Sequence, residues 1–156
     1  MVYTEPCGYT GTLAIHPPVA AFTARNDLAE LPSLNRFLDS FWERNLLPEE
    51  AVMDVSLAME EMFANVVMHG FPDQAEHQIL IRVWMEDDTV ALSIEDDGVA
   101  FNPLEAPPVE ISGPPEELKV GGLGIHLVRN VMEQVEYSRL GDRNRLVMKK
   151  RIPEPQ

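Results

Sequence analysis

Three short elements carry the side chains of this chain best suited to chemistry: Glu61-x3-Asn65-x3-His69, Asp96-x-Gly98 and Gly122-Leu123-Gly124. Glu61 and Asn65 stand about one helical turn apart, so a carboxylate and an amide oxygen share one face. These are hard oxygen donors of the kind that magnesium and its waters accept. Asp96 closes a run in which Val90, Leu92 and Ile94 alternate with Ala91, Ser93 and Glu95. Period two puts Asp96 on the apolar side and Asp97 on the other, so Asp96 is the acid aimed into a pocket. There its carboxylate could accept a hydrogen bond from an exocyclic amine; an ordinary Asp-Gly turn is the competing reading. Gly121, Gly122 and Gly124 come just before Leu127, Val128, Val131 and Met132 in helical spacing. Backbone amides there can approach an anion at the positive end of a helix, although glycines also simply make tight turns. Lys119, just ahead, could reach a terminal phosphate as a point charge or be merely solvated. In this order the three elements describe a magnesium-nucleotide pocket.

The elements that must position these groups are legible around them. Leu47 to Gly70 reads as one long helix: Pro48, Glu49 and Glu50 open an acidic first turn and Gly70 supplies the stop. Val52, Val55, Met59, Met62, Phe63 and Val66 form an apolar stripe, while Asp54, Glu61, Asn65 and His69 cluster on another face. That polar face is either solvated or a ligand site. Leu57, Ala58, Ala64 and Met68 flank it, which favours partial burial, and buried polar groups need partners. A second amphipathic helix begins at Leu28, with Leu31, Leu34, Phe37, Leu38, Phe41 and Trp42 as its apolar face and Asn26 or Asp27 as its cap. Strands are expected at Gln78 to Met85, Thr89 to Asp96, Val135 to Leu140 and Arg145 to Arg151, with an edge strand near Ala20 to Thr23. Phe101 to Val120 holds five prolines and little periodicity, the signature of a functional lid or of disorder. His126 reads as a packing residue, and His69 at a helix end needs no special purpose.

The glycine element lacks the strand-then-helix setting of a Rossmann unit, and no Gly-Lys-Ser/Thr occurs, so the pocket must belong to another nucleotide fold. Leu57 to Phe71 resembles the N box of the histidine-kinase-like ATPase superfamily, Glu95 to Pro103 its first glycine box and Gly121 to Arg129 its second. Within that superfamily the chain resembles the bacterial anti-sigma factors that act as serine/threonine protein kinases, over roughly residues 26 to 152. The resemblance implies the Bergerat ATP-binding fold: α+β, a two-layer α/β sandwich whose mixed, mostly antiparallel sheet is covered on one face by helices. It implies ATP and Mg2+ as cofactors. By position, Asn65 holds magnesium, Glu61 is the general base, Asp96 reads the adenine amino group, and Gly98, Gly122 and Gly124 shape the loops, with Leu123 and Lys119 beside the nucleotide. The proline-rich segment becomes the ATP lid. Two departures stand out: Ala100 occupies a position where glycine is usual, and Lys119-Val120 replaces the common Gly-Arg approach to the second box. The implied partners are an anti-sigma factor antagonist of the STAS type, as phosphorylation substrate, and a sigma factor; a homodimer is compatible with both. A non-catalytic, nucleotide-gated partner-switch module is the alternative, and the retained Glu61 favours the kinase. The catalytic half of a two-component histidine kinase fits less well, because no dimerisation helix or phospho-acceptor segment precedes the ATP-binding region.

Composition agrees with a small soluble domain. At 156 residues the chain fits one domain able to bury about two thirds of its unfolded surface. Residues 1–25 are expected to be an extension, 26–152 the ATPase domain and 153–156 a tail. With 26 acids against 12 bases the net charge is −14, which argues against nucleic acid as a ligand. Six of the twelve bases, Arg139, Arg143, Arg145, Lys149, Lys150 and Arg151, crowd the last eighteen positions. They read as the solvated face of a terminal hairpin, or as a docking patch for an acidic partner. Cys7 is the sole cysteine, so no intramolecular disulfide forms. No long apolar stretch or signal-like segment is evident, so no membrane contact and a cytoplasmic location are expected.

Overall fold

The computed structural model describes residues 18–105, 107 and 122–154. The elements in chain order are β1 (Ala20–Arg25), a 3-10 turn (Leu28–Glu30), α1 (Leu31–Asn45), α2 (Glu49–His69), β2 (Gln78–Glu86), β3 (Thr89–Asp96), a second 3-10 turn (Pro103–Glu105), α3 (Gly122–Val131), β4 (Gln134–Leu140) and β5 (Arg143–Arg151). The strands form one sheet in the order β1-β2-β3-β5-β4. All four pairings are antiparallel, so the described sheet has no parallel component. The expected edge strand is present and runs on to Arg25, paired with β2 along its whole length.

Local signals account for the element ends. Asp27 accepts from the Ala29 amide at 2.9 Å and caps the turn leading into α1. Leu46 closes α1 in the left-handed region, at φ 52°, and is 88% exposed. Pro48 stands at the N-cap of α2 and Gly70 at its C-cap. In β2 and β5 every second residue is buried, whereas β3, at the centre of the sheet, is buried almost throughout.

Leu34, Leu38 and Phe41 of α1, Val55, Met59 and Phe63 of α2, and Ile125 and Val128 of α3 pack with Ile79, Ile81, Val83, Val90, Leu92, Ile94 and Met148 of the sheet in one core. The helices therefore cover one face of the sheet, the two-layer arrangement expected. No helix among the described residues is long and apolar enough to cross a membrane.

The other face of the sheet carries cross-strand charge pairs. Glu95 on β3 meets Arg82 on β2 and, at 3.4 Å, Arg145 on β5. Glu86 pairs with Lys149 at 2.7 Å and Asp88 with Arg151 at 2.6 Å. Lys150 turns to the helical side, pairing with Asp54 of α2 at 2.8 Å and donating to the Val131 carbonyl at the end of α3. Four of the six clustered bases are thus paired within the chain. This is a solvated, self-neutralised face, and it offers an acidic partner far less than the raw count of basic residues suggests.

The connection from α2 to β2 is held by His77. Its ring stacks on Phe71, centroids 4.4 Å apart, and its two nitrogens lie 2.8 Å from Asp73 and 3.0 Å from Asp97. Only the imidazolium can donate to both carboxylates at once. The hydrogen bond that His77 donates to Asp73, aided by the one it donates to Asp97, raises the pKa of His77, and accepting that bond lowers the pKa of Asp73. A raised histidine pKa means stabilisation that is full below the unfolded-state value and is lost as pH rises through the folded-state value. Thermal melts should therefore show a gap between wild type and His77→Gln that is wider at about pH 6 than at about pH 9; a gap independent of pH would mean that the paired imidazolium contributes nothing.

Candidate functional site

The site is built where α2, the end of β3 and the β4–β5 hairpin converge. Alternation carries Asp96 to the helix-covered face of β3, as expected, and there it is only 4% exposed. A carboxyl group so far from water needs partners. Its Oδ1 accepts from the Gly98 amide at 2.8 Å and from Asn144 Nδ2 at 2.9 Å. Both bonds fall on the same oxygen, and no described residue bonds Oδ2.

Asp96, Asn65 and His69 border a cavity of about 120 Å³ whose walls are otherwise mainly apolar, with Met62, Val66, Ile94, Phe101 and Leu146 among them. Gly70, Val99, Ala100, Pro103, Tyr137 and Asn144 complete the lining. A mainly apolar cavity with one convergent carboxylate suits a heteroaromatic ring bearing an amine. His69 is exposed at the end of α2, whereas Glu61 and Asn65 are half-buried, so the partial burial expected of the polar face holds for these two but not for His69. Asp54, the fourth member of that face, is committed to Lys150.

Glu61 does not border this cavity. It lies about 6 Å along the helix from Asn65, by the rise of four residues, against the first turn of α3. A Cβ built on Gly124 would collide with the Glu61 carboxylate, so the absence of a side chain at Gly124 is what lets this carboxylate sit where it does. Gly98 is required for a different reason. A Cβ there would stand 2.5 Å from the Gly70 carbonyl oxygen and 2.8 Å from Asp96 Oδ1. The Gly70 carbonyl also accepts the Val99 amide at 2.9 Å, so the loop after β3 is laced directly to the end of α2. The Asp-Gly turn is real, and the same turn positions the pocket carboxylate; the two sequence readings describe one structure.

Gly122 opens α3 and Leu123, next to it, is 46% exposed. Gly122 and Gly124 thus lie within the first turn of the helix, and Gly124 sits beside Glu61. His126 is half-buried within α3. Arg129 donates to the Leu104 carbonyl at 3.2 Å, tying the described start of the proline-rich segment to α3. Lys119 and most of that segment lie outside the described residues.

Sequence reasoning missed Asn144 and Tyr137. Asn144 begins the buried phase Asn144, Leu146, Met148 of β5. Starting that strand at Arg145 hid it. A polar residue in phase with the apolar positions of its strand was the available signal.

Residues 24–150 match the family of the histidine kinase-like ATPase domain. The chain is 28% identical over 91 residues to the serine-protein kinase RsbW of Listeria innocua, covering 56% of this chain and 58% of that one. It is 24% identical over 104 residues to the anti-sigma F factor of Clostridium perfringens, covering 66% and 74%. The chain spans little more than half the length of the first of these curated relatives. The crystal structure of the RsbU and RsbW domains of Rv1364c from Mycobacterium tuberculosis superposes with a TM-score of 0.65 over 88% of this chain and 33% of that one. At 14% identity that likeness speaks for the fold. With the match extending over most of the sequence, the chain belongs to the histidine-kinase-like ATPase family.

Proposed function

We propose that this protein is an ATP-dependent serine/threonine protein kinase of the anti-sigma type, which phosphorylates an anti-sigma factor antagonist and otherwise holds a sigma factor. The observation that carries the nucleotide reading is Asp96: a buried carboxylate with Oδ1 doubly bonded, bordering a cavity of about 120 Å³. Its second oxygen matches the amino group of adenine, and the apolar walls match the faces of the ring.

Asn65 fits a magnesium ion bound to the phosphates. Among the described residues no three His, Cys, Asp or Glu side chains cluster as a metal cage. An amide oxygen, phosphate oxygens and water make up the coordination that magnesium favours over an all-protein site. Bound there, the ion would neutralise charge on the β- and γ-phosphates. The start of α3, where Gly124 lies against Glu61, would suit the phosphate oxygens.

Glu61, held against Gly124, is the base. As the serine or threonine oxygen of the partner bonds to the γ-phosphorus, the bond from that phosphorus to the β-bridging oxygen breaks and ADP departs. The hydroxyl proton passes to the Glu61 carboxylate. Positioning and electrostatics supply most of the rate. A phosphate added to the antagonist would then disfavour an apolar interface by its charge, releasing the partner.

Calorimetry with ATP and ADP, with and without magnesium, tests the first step. Wild type should bind with magnesium dependence and Asn65→Ala should lose that dependence; no binding by wild type in any condition would leave a partner-binding domain without nucleotide. For transfer, Glu61→Gln should retain ATP affinity while phosphorylation of the antagonist falls about 10²–10⁴-fold. Equal rates in mutant and wild type would remove Glu61 from the chemistry, and binding without transfer in wild type would favour the non-catalytic module.

Gly124→Ala separates positioning from folding. The atom in its way is the far end of a flexible side chain, and alanine favours a helix, so stability should change by no more than about 1 kcal/mol. Displacing the Glu61 carboxylate should nevertheless depress transfer as Glu61→Gln does. Denaturant titration and a phosphorylation assay on the same preparation decide the matter, and full activity in Gly124→Ala would refute the placement.

A further inference from the structure

Asn144 lies directly opposite Asp96 in the β3–β5 register and opposite Arg139 in the β4–β5 register. It is 7% exposed. Its Nδ2 donates to Asp96 Oδ1 at 2.9 Å and to the Val99 carbonyl at 2.8 Å. Its Oδ1 accepts from the Tyr137 hydroxyl at 2.7 Å and from Arg139 Nη1 at 2.9 Å. Each face of the amide meets groups of the opposite kind, so it has one orientation: a flip would set like against like at Asp96, the Val99 carbonyl and Arg139. The same Arg139 nitrogen also donates to the Gly98 carbonyl at 2.9 Å, which closes the ring of contacts around the Asp-Gly turn.

We infer that Asn144, clamped by Tyr137 and Arg139, is a positioning residue that sets the base specificity of this site by fixing the rotation of the Asp96 carboxylate. The inference rests on the adenine reading proposed above and deepens it. A carboxylate free to turn can offer either oxygen, or both, and can follow a ring that presents an N–H elsewhere on its edge. Asn144 occupies Oδ1 together with the Gly98 amide, so Oδ2 alone meets the ligand, in one direction. A purine with an amine at position 6 donates to it. A purine with a carbonyl there sets oxygen against oxygen, and the held carboxylate cannot swing to the neighbouring ring N–H to relieve the repulsion. A buried polar group left facing the wrong partner is the strongest basis for rejecting a ligand of similar shape. The determinant acts at second hand: Asn144 fixes the group that reads the base.

The test is calorimetric titration of the full chain with ATP and with inosine triphosphate, which carries a carbonyl at position 6, for wild type, Asn144→Ala and Tyr137→Phe. A melt of each variant accompanies it. Wild type should prefer ATP. In Asn144→Ala the ATP affinity should fall about 10-fold, the scale of a lost hydrogen bond to a charged group. Inosine triphosphate should lose little or gain, compressing the preference by a similar factor. Tyr137→Phe removes one of the two donors that hold the amide and should shift the preference the same way by a smaller factor. It also decides the matter if Asn144→Ala does not fold. Unchanged affinities, or equal losses for both nucleotides, would overturn the positioning role while leaving the adenine site standing. Wild type binding neither nucleotide would refute the adenine reading itself and this inference with it. Preference is the decisive readout, because a residue that merely supports the hairpin would weaken both ligands together.

Discussion

A carboxyl group withdrawn from water at the end of the central strand must have its lone pairs answered, and at Asp96 that requirement draws in most of the architecture around the site. The Gly98 amide reaches Oδ1 because the chain turns at once after β3, and it can turn there because Gly98 has no Cβ to strike the Gly70 carbonyl. Asn144 reaches the same oxygen because β5, not β4, lies against β3 in this register. Strand order, the length of the α2 C-terminus and the identity of one glycine therefore converge on a single oxygen atom. A slip of one residue in the β3–β5 pairing would turn Asn144 to the outer face and leave a buried carboxylate short of a partner.

Helix α2 is the second organising element, because it serves both the core and the site. Val55, Met59 and Phe63 are fully buried against the sheet, while Asn65 and Val66 border the cavity and Glu61 is turned to α3. The site can then be precise without a dedicated scaffold of its own. The packing that stabilises the helix sets its azimuth, and the azimuth sets where Asn65 and Glu61 point. The contact between Glu61 and Gly124 extends this logic to the partner helix, with a carboxylate lodged in the space of a missing side chain.

Charge is organised separately. The chain is strongly acidic, yet on the outer face of the sheet its bases are placed opposite acids: Arg82 and Arg145 about Glu95, Lys149 with Glu86, Arg151 with Asp88. Such exposed pairs contribute little stability each. Their main effect here is to leave the excess negative charge elsewhere, away from a face that composition alone would have marked as basic.

Much of this was legible in the order of residues. Helical and strand periods placed the three described helices and the last four described strands to within a few residues, because burial of one face is a local, repeating demand on sequence. The alternation that sends Asp96 inward, the helical turn that aligns Glu61 with Asn65, and the glycines at the start of α3 belong to the same class, since each concerns neighbours along the chain. Only tertiary structure could decide what lies across from them. That Asn144 meets Asp96, that Tyr137 and Arg139 fix Asn144, that Gly124 makes room for Glu61, and that Lys150 turns to Asp54 are pairings set by strand order and helix azimuth, which no local period of the sequence encodes.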